Sequence, residues 1–189
     1  QATLRIVKVF WGLDAQLAYR RHFPAINWLN SYSLYIDQLR DWMRKEVADD
    51  WNDLRDEAMR ILQEESELEE IVRLVGIDAL SLKDRLTLET AKSIREDYLH
   101  QNAFHDVDTY TSLPKQYKML KLILEFYHQG LEALENGAEL SQVINLPVRE
   151  RIGRAKYIPE DQLDALDEIA KQLRDEVASL VSEGGVEYA

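Results

Sequence analysis

Apolar residues recur at helical spacing in two long segments of the second half of the chain, and this pattern constrains the fold more than any other feature. The steps alternate between three and four residues over positions 117–134 and again over 163–180. Such steps place the side chains on one face of an α-helix, and that face must be buried against neighbouring elements. We therefore expect an antiparallel helical bundle. The two seams consist of Tyr117, Leu120, Leu124, Tyr127, Leu131 and Leu134, and of Leu163, Leu166, Ala170, Leu173, Val177 and Leu180.

Three further amphipathic helices are predicted to pack beside these two. One begins near Ser33, a longer one ends at Gly76, and a third begins at Ser81. A glycine is favoured directly after a helix, and Ser81 with Asp84 has the spacing of a capping box at a helix start. Shorter helices are predicted over 14–21 and after Pro147. The predicted fold class is all-α.

One segment near the start of the chain has a different pattern. Apolar, polar and β-branched residues alternate from Thr3 to Trp11, which predicts a β-strand, the single strand that we predict in this sequence. A lone strand leaves backbone donors and acceptors unpaired, so it requires a sheet from elsewhere. The first residue is Gln1 rather than methionine. We therefore expect the chain to be a piece of a larger protein, cut inside a domain that contains a sheet.

The composition excludes several classes of function. Twenty-three basic residues against 35 acidic ones give a net charge of −12, which disfavours nucleic acid as a partner and binding to an anionic membrane surface. The absence of cysteine excludes disulfides and thiolate metal sites. No segment has the ~20 uncharged apolar residues that a membrane span needs, and none resembles a signal peptide. We expect a soluble intracellular chain.

Few residues have the spacing of a metal or catalytic site. Glu125 and His128, and less clearly Asp97 and His100, are spaced like ligands of a di-iron bundle, but both pairs lie beside the apolar seams, so we predict no metal site. The glycine-rich loop that holds a triphosphate with its magnesium is absent from the sequence. Aromatic residues outside the helical stripes could stack on a nucleobase or could fill the underside of the bundle.

Three groups of residues resemble the catalytic A subunit of archaeal and vacuolar-type rotary ATPases. They occur in the family's order and with similar spacing over essentially the whole chain. The segment 76–84 also resembles the lever loop of the F-type β subunit, and 98–104 resembles the adenine-side loop that follows it. The matching residues are Lys8-Val9-Phe10-Trp11, Leu13-Asp14-Ala15, Tyr19 to Leu29 and Ser31-Tyr32-Ser33, then Gly76, Asp78, Leu80, Ser81 and Asp84, then Tyr98 to Phe104.

The resemblance implies a domain division and a role in a larger assembly. Residues 1–32 would be the end of the nucleotide-binding α/β domain, and 33–189 the C-terminal helical domain. The phosphate loop, catalytic glutamate and magnesium ligands would lie upstream, so this chain would contain no catalytic residue and would be inactive alone. The parent subunit would bind ATP or ADP with magnesium, alternate with B subunits in a hexamer, and lie in the cytoplasm, peripheral to the membrane. The complex would couple ATP synthesis or hydrolysis to rotation and to transport of protons or sodium ions.

The resemblance also implies roles for individual residues. Phe23 would stack on adenine from the nucleotide domain and Phe104 from the helical domain, with a weaker match at Tyr110. Because Leu82 and Lys83 replace acids of the F-type lever, we expect contact with the rotor by shape and packing. The implied adenine-binding residues are Phe23, Gln101, Asn102, Ala103, Phe104 and Tyr110, and the implied lever residues are Asp78, Ala79, Leu80, Ser81, Leu82, Lys83 and Asp84.

Two other functions fit the acidic helical composition. The chain could be a free-standing module that binds other proteins and no nucleotide. It could also be a metalloenzyme of the bundle class. Only the rotary ATPase hypothesis explains the unpaired strand together with the Phe23–Pro24 segment.

Overall fold

A computed structural model describes residues 6–184 of the chain. Two antiparallel strands with a short helix between them come first, and most of the remaining described chain is helical. The elements are β1 (Val9–Leu13), α1 (Ala15–Tyr19), β2 (Ile26–Ser33), α2 (Ile36–Glu46), α3 (Trp51–Val75), α4 (Leu82–Ser93), α5 (Leu113–Glu135), α6 (Leu140–Ile144), α7 (Val148–Gly153) and α8 (Asp164–Gly184). A π-helical turn (Ile94–Leu99) continues α4, and 3₁₀ turns occur at Ile77–Ala79, Ala155–Tyr157 and Glu160–Gln162.

The N-terminal hairpin corrects the prediction of a single unpaired strand. β1 pairs antiparallel with β2 from Val9 opposite Ser33 to Leu13 opposite Ile26, with an irregularity in register between Phe10 and Gly12. β2 was not predicted because two asparagines, which are disfavoured in strands, interrupt its apolar residues. Pairing with β1 overrides that weak preference. The predicted strand is confirmed over 9–11, and its first residues, 3–5, lie outside the described part of the chain.

The predicted helical seams form the core of the bundle. α5 packs against α3 and α4 on one side and against α8 on another. Leu120, Leu124 and Tyr127 of α5 are buried, as are Leu166 and Leu173 of α8. These observations confirm the all-α prediction and the choice of the inward faces.

The predicted helix ends are also confirmed. α3 ends at Gly76, whose φ of 89° lies in the region that side chains disfavour. Ser81 Oγ accepts a hydrogen bond from the Asp84 amide at 3.1 Å, and Asp84 Oδ2 accepts one from the Ser81 amide at 3.3 Å. This reciprocal pair is the capping box at the start of α4.

Candidate functional site

Phe23 lies in the turn between α1 and β2, and the segment after the π-helical turn holds its backbone. The Phe23 amide donates to His100 Nδ1 at 3.2 Å. The Phe23 carbonyl accepts from the Gln101 amide at 2.7 Å. Both backbone polar groups of Phe23 are therefore bound by two consecutive residues that are 77 and 78 positions away in the sequence. The structure thus joins the first and third groups of family-like residues.

The loop that follows Gln101 is closed by hydrogen bonds to one buried carboxylate residue. Asp108 is 2% exposed, and its Oδ2 accepts from the Asn102 amide at 2.7 Å. The Asp108 carbonyl accepts from Gln101 Nε2, also at 2.7 Å. His105 Nδ1 accepts from the amides of Val107 and Asp108 at 3.1 and 3.2 Å. These bonds give residues 101–108 a defined shape without regular secondary structure.

The aromatic rings of this region face solvent to very different degrees. Phe104 is 99% exposed, Tyr110 is 66% exposed and Phe23 is 50% exposed. The Phe104 amide donates to Asn102 Oδ1 at 3.0 Å, which fixes the backbone that carries the ring. A ring in full contact with water contributes no packing to the bundle. The alternative in which Phe104 fills the underside of the bundle is therefore wrong.

A cavity of about 230 Å³ lies between the Phe23–Pro24 turn and this loop. Pro24, Tyr98 and Met119 contribute apolar surface, and Gln101 contributes a polar edge. Burial raises the pKa of Tyr98, so this phenol stays neutral at physiological pH. The cavity adjoins the turn that carries Phe23, and its lining also includes the carboxylate residue Asp108.

The predicted lever loop lies at the opposite end of α4 from the adenine-side loop. Leu80 anchors it, with 8% exposure, whereas Leu82 is 52% exposed. Asp78 Oδ1 is 3.0 Å from Arg85 Nη2. Ala79, Ser81 and Lys83 are exposed and Asp84 is partly buried. The loop also adjoins exposed apolar side chains at the end of α3, namely Leu74, Val75 and the following Ile77, which are 83%, 65% and 50% exposed.

The residues with metal-ligand spacing have other partners. His128 Nε2 lies 2.9 Å from Glu57 Oε1, and Glu125 Oε1 lies 2.7 Å from Arg174 Nη1. Asp97 Oδ2 accepts from Ser93 Oγ at 2.6 Å. Over residues 6–184, no three histidine, aspartate or glutamate side chains come together as a metal cluster. The geometry thus offers no support for the metalloenzyme hypothesis.

Two buried lysines behind the site were missed by sequence reasoning. Lys115 is 0% exposed and Lys156 is 6% exposed, and burial lowers the pKa of both ammonium groups. Lys156 Nζ donates to the His100 carbonyl at 3.0 Å. Residues 100 and 156 are far apart in sequence, and Lys156 belongs to none of the motifs identified above, so no local signal identifies the pair.

None of the helices within residues 6–184 is long and apolar enough to cross a membrane.

Residues 40–144 match the family model described as the C-terminal domain of V and A type ATP synthase. This range includes the lever loop and the adenine-side loop, but neither Phe23 nor Lys156.

Curated relatives match almost the whole chain. It is 67% identical over 183 residues to the V-type ATP synthase alpha chain of Acetivibrio thermocellus, covering 96% of this chain and 31% of that protein. It is 66% identical over 186 residues to the V-type ATP synthase alpha chain of Clostridium perfringens, covering 98% and 32%. It is 64% identical over 186 residues to the V-type ATP synthase alpha chain 1 of Clostridium tetani, covering 98% and 31%. The chain therefore spans about a third of the length of the curated relatives it matches. Since the family model covers more than half of its residues, the chain belongs to the V and A type ATP synthase family, whose C-terminal domain it contains.

Proposed function

We propose that this chain is the C-terminal part of the catalytic subunit of a rotary ATPase or ATP synthase that transports protons or sodium ions. Residues 1–32 would complete the nucleotide-binding domain, and residues 33–189 would form the helical domain. The parent subunit would bind ATP or ADP with magnesium through groups outside this chain. It would alternate with B subunits around a rotor, as a cytoplasmic part of a complex attached to the membrane. The names and identities of the relatives support this proposal.

The exposed Phe104 ring is the observation that most supports a role in nucleotide binding. It lies on a loop whose first residues, 100 and 101, are hydrogen-bonded to the backbone of Phe23. An apolar ring that is 99% exposed has no stabilising role in the bundle, whereas a nucleobase can stack on it. Phe23 belongs to the N-terminal segment and Phe104 to the helical region. A base bound between them would therefore contact both parts of the chain at once. Gln101, Asn102 and Ala103 would shape the pocket edge, and Tyr110 would lie nearby.

The Phe104→Ala variant of the full-length subunit tests this role. Because the ring buries no surface in the structure, we expect the helical domain to unfold at the same temperature. Loss of one base stack should weaken ATP and ADP binding by about 1–3 kcal/mol. Trp42→Ala serves as control, because Trp42 is an aromatic residue of α2, 48% exposed, that lies outside the predicted adenine site. Nucleotide affinity that is equal in the Phe104 variant and the parent would overturn the assignment.

The lever role rests on the apolar character of the surface around residues 78–84. Ser81 and Asp84 bond to each other in the capping box, and Asp78 pairs with Arg85, so these polar groups already have partners within the chain. Exposed Leu74, Val75 and Leu82 lie beside them. We infer that the rotor contacts this end of the domain through apolar side chains, and that the charged residues of the segment 78–84 contribute little to the contact.

A further inference from the structure

Lys115 and Lys156 are unusual because both ammonium groups are removed from water. Lys115 is 0% exposed and Lys156 is 6% exposed. Taking a charged group out of water is costly unless hydrogen bonds and opposite charges compensate. Asp97 and Asp108 raise the pKa of Lys156 towards its usual value, but burial has the larger effect and lowers it. Two such lysines in one small region indicate that their hydrogen bonds serve a purpose other than bulk packing.

The two lysines form a relay of hydrogen bonds that ends at the turn holding Phe23. Lys115 Nζ, on α5, donates to the Lys156 carbonyl at 2.8 Å. Lys156 Nζ donates to the Glu96 carbonyl at 2.7 Å and to the His100 carbonyl at 3.0 Å. Lys156 lies on the 3₁₀ turn Ala155–Tyr157, which follows α7. The relay thus connects two separate parts of the domain, α5 and the turn at 155–157, to residue 100.

The bonds of Lys156 are made where the backbone lacks helical partners. The last carbonyls of a helix have no intrahelical donors, and the π-helical turn Ile94–Leu99 ends directly before His100. The His100 amide still donates to the Arg95 carbonyl at 2.9 Å, but the His100 carbonyl points to Lys156. A single ammonium group therefore holds one carbonyl within this turn, at Glu96, and one directly after it, at His100. The next two contacts along the chain are those from residues 100 and 101 to Phe23.

We propose that Lys156 is a positioning residue for the adenine site: it fixes the backbone of residues 96–101 and, through His100 and Gln101, the position of Phe23. The inference rests on the proposed stacking role of Phe23. In this proposal Lys156 does not contact the nucleotide itself. Its ammonium group holds the backbone of the turn through hydrogen bonds, and residues 100 and 101 of the same segment hold the backbone of Phe23. The position of the Phe23 ring then determines how strongly it stacks on a base.

The test compares Lys156→Met with the parent in the full-length subunit. Methionine has a similar length and an apolar end, so it removes the hydrogen bonds and leaves little empty volume. Lys171→Met is the matched control, because Lys171 is exposed on α8 and takes part in none of the hydrogen bonds of the relay. Hydrogen–deuterium exchange of peptides that cover residues 20–26 reports the Phe23 amide directly, without any nucleotide.

The binding measurement uses ATP and inorganic triphosphate side by side. Triphosphate has the phosphate chain but no base, so general damage to the subunit would weaken both ligands. Loss of ring position should weaken ATP binding alone. We expect faster exchange over residues 20–26 and about tenfold weaker ATP binding, a part of the full value of a base stack. Triphosphate binding should not change, and Lys171→Met should match the parent in every measurement.

The possible outcomes separate this inference from the proposed function. Unchanged exchange over residues 20–26 would overturn the role of Lys156, even if Phe104→Ala still weakened ATP binding. Faster exchange with unchanged ATP affinity would overturn the stacking role of Phe23. If the binding of ATP and of triphosphate weakened equally, Lys156 would contribute only to the general stability of the subunit, and the inference would also be overturned.

A second variant covers the case in which Lys156→Met fails to fold. His100→Ala removes the Nδ1 acceptor of the Phe23 amide and leaves both lysines in place. We expect the same pattern, with a selective loss for ATP over triphosphate. Equal ATP affinity in this variant and the parent would refute the last step of the relay.

Discussion

The ion pair between Glu65 and Arg95 joins the long helix α3 to the π-helical turn, and its removal should be costly. Arg95 Nε lies 3.0 Å from both carboxylate oxygens of Glu65, and Nη2 lies 2.9 Å from Oε1. The Glu65 side chain is 8% exposed and that of Arg95 is 22% exposed. Arg95→Met would therefore leave a nearly buried carboxylate without its cation.

The size of the effect follows from this burial. Removing one partner of a fully buried pair costs about 3–5 kcal/mol, and the partial exposure of Arg95 reduces this to roughly 2–4 kcal/mol. For a domain of this size a urea m-value of about 2 kcal/mol/M is typical, so the unfolding midpoint should fall by about 1–2 M. The Arg60→Met control removes a more exposed pair with Glu64 and should cost less than about 1 kcal/mol.

The pH dependence gives a sharper test. Burial outweighs the hydrogen bonds from Arg95 and raises the pKa of Glu65 above its usual value. Without Arg95 this pKa rises further, so the folded variant binds a proton more tightly than the unfolded chain does. Its stability therefore increases, relative to the parent, as pH falls through the folded pKa towards the usual glutamate pKa of about 4.3. Urea unfolding of the 189-residue chain at neutral and mildly acidic pH measures this, and a deficit that is the same at both would refute the reasoning.

Two further predictions concern the lever and a second buried acid. Leu82→Asp places an acid in the first turn of α4, where it suits the helix dipole, so the fold should persist while the apolar rotor contact weakens. The ratio of ions transported to ATP hydrolysed by the assembled complex should fall, and an unchanged ratio would contradict apolar contact. Burial raises the pKa of Asp97, so its ionised form destabilises the fold above that pKa. Asp97→Asn should unfold at a higher temperature than the parent at pH 7, and this advantage should vanish below the usual aspartate pKa of about 4; an equal advantage at both pH values would contradict it.

Local patterns in the sequence were sufficient to predict the bundle. The seams through Leu124 and Leu173 end in the core because helical periodicity is a property of neighbouring residues. The capping box follows from the chemistry of Ser81 and Asp84, and the positive φ of Gly76 from glycine alone. α6 was not predicted, since five residues, Leu140–Ile144, are too few to show a period.

Features that depend on distant residues could not be predicted in the same way. β2 exists because β1 pairs with it, although Asn27 and Asn30 argue against a strand. The resemblance predicts that Phe23 and Phe104 belong to one site, but the hydrogen bonds of Phe23 to residues 100 and 101 span more than 75 positions. The buried lysines carry no motif, and in a sequence a lysine normally indicates an exposed position.

The arrangement of α4 explains how the two proposed roles of this chain could be connected. The predicted lever segment 78–84 ends in the first turn of α4, and the predicted adenine-side loop follows Leu99, while α4 and the π-helical turn are continuous between them. A helix of this length spans roughly 25 Å, so the two loops are attached to opposite ends of one rigid element. A nucleotide that favours one orientation of this helix then also favours one position of the lever. By linkage, a rotor that displaces the lever must change the nucleotide affinity by the same free energy. The Glu65–Arg95 pair and the Lys156 relay both hold the helix at the end next to the predicted adenine-side loop, so weakening either should reduce the proposed coupling before it unfolds the bundle.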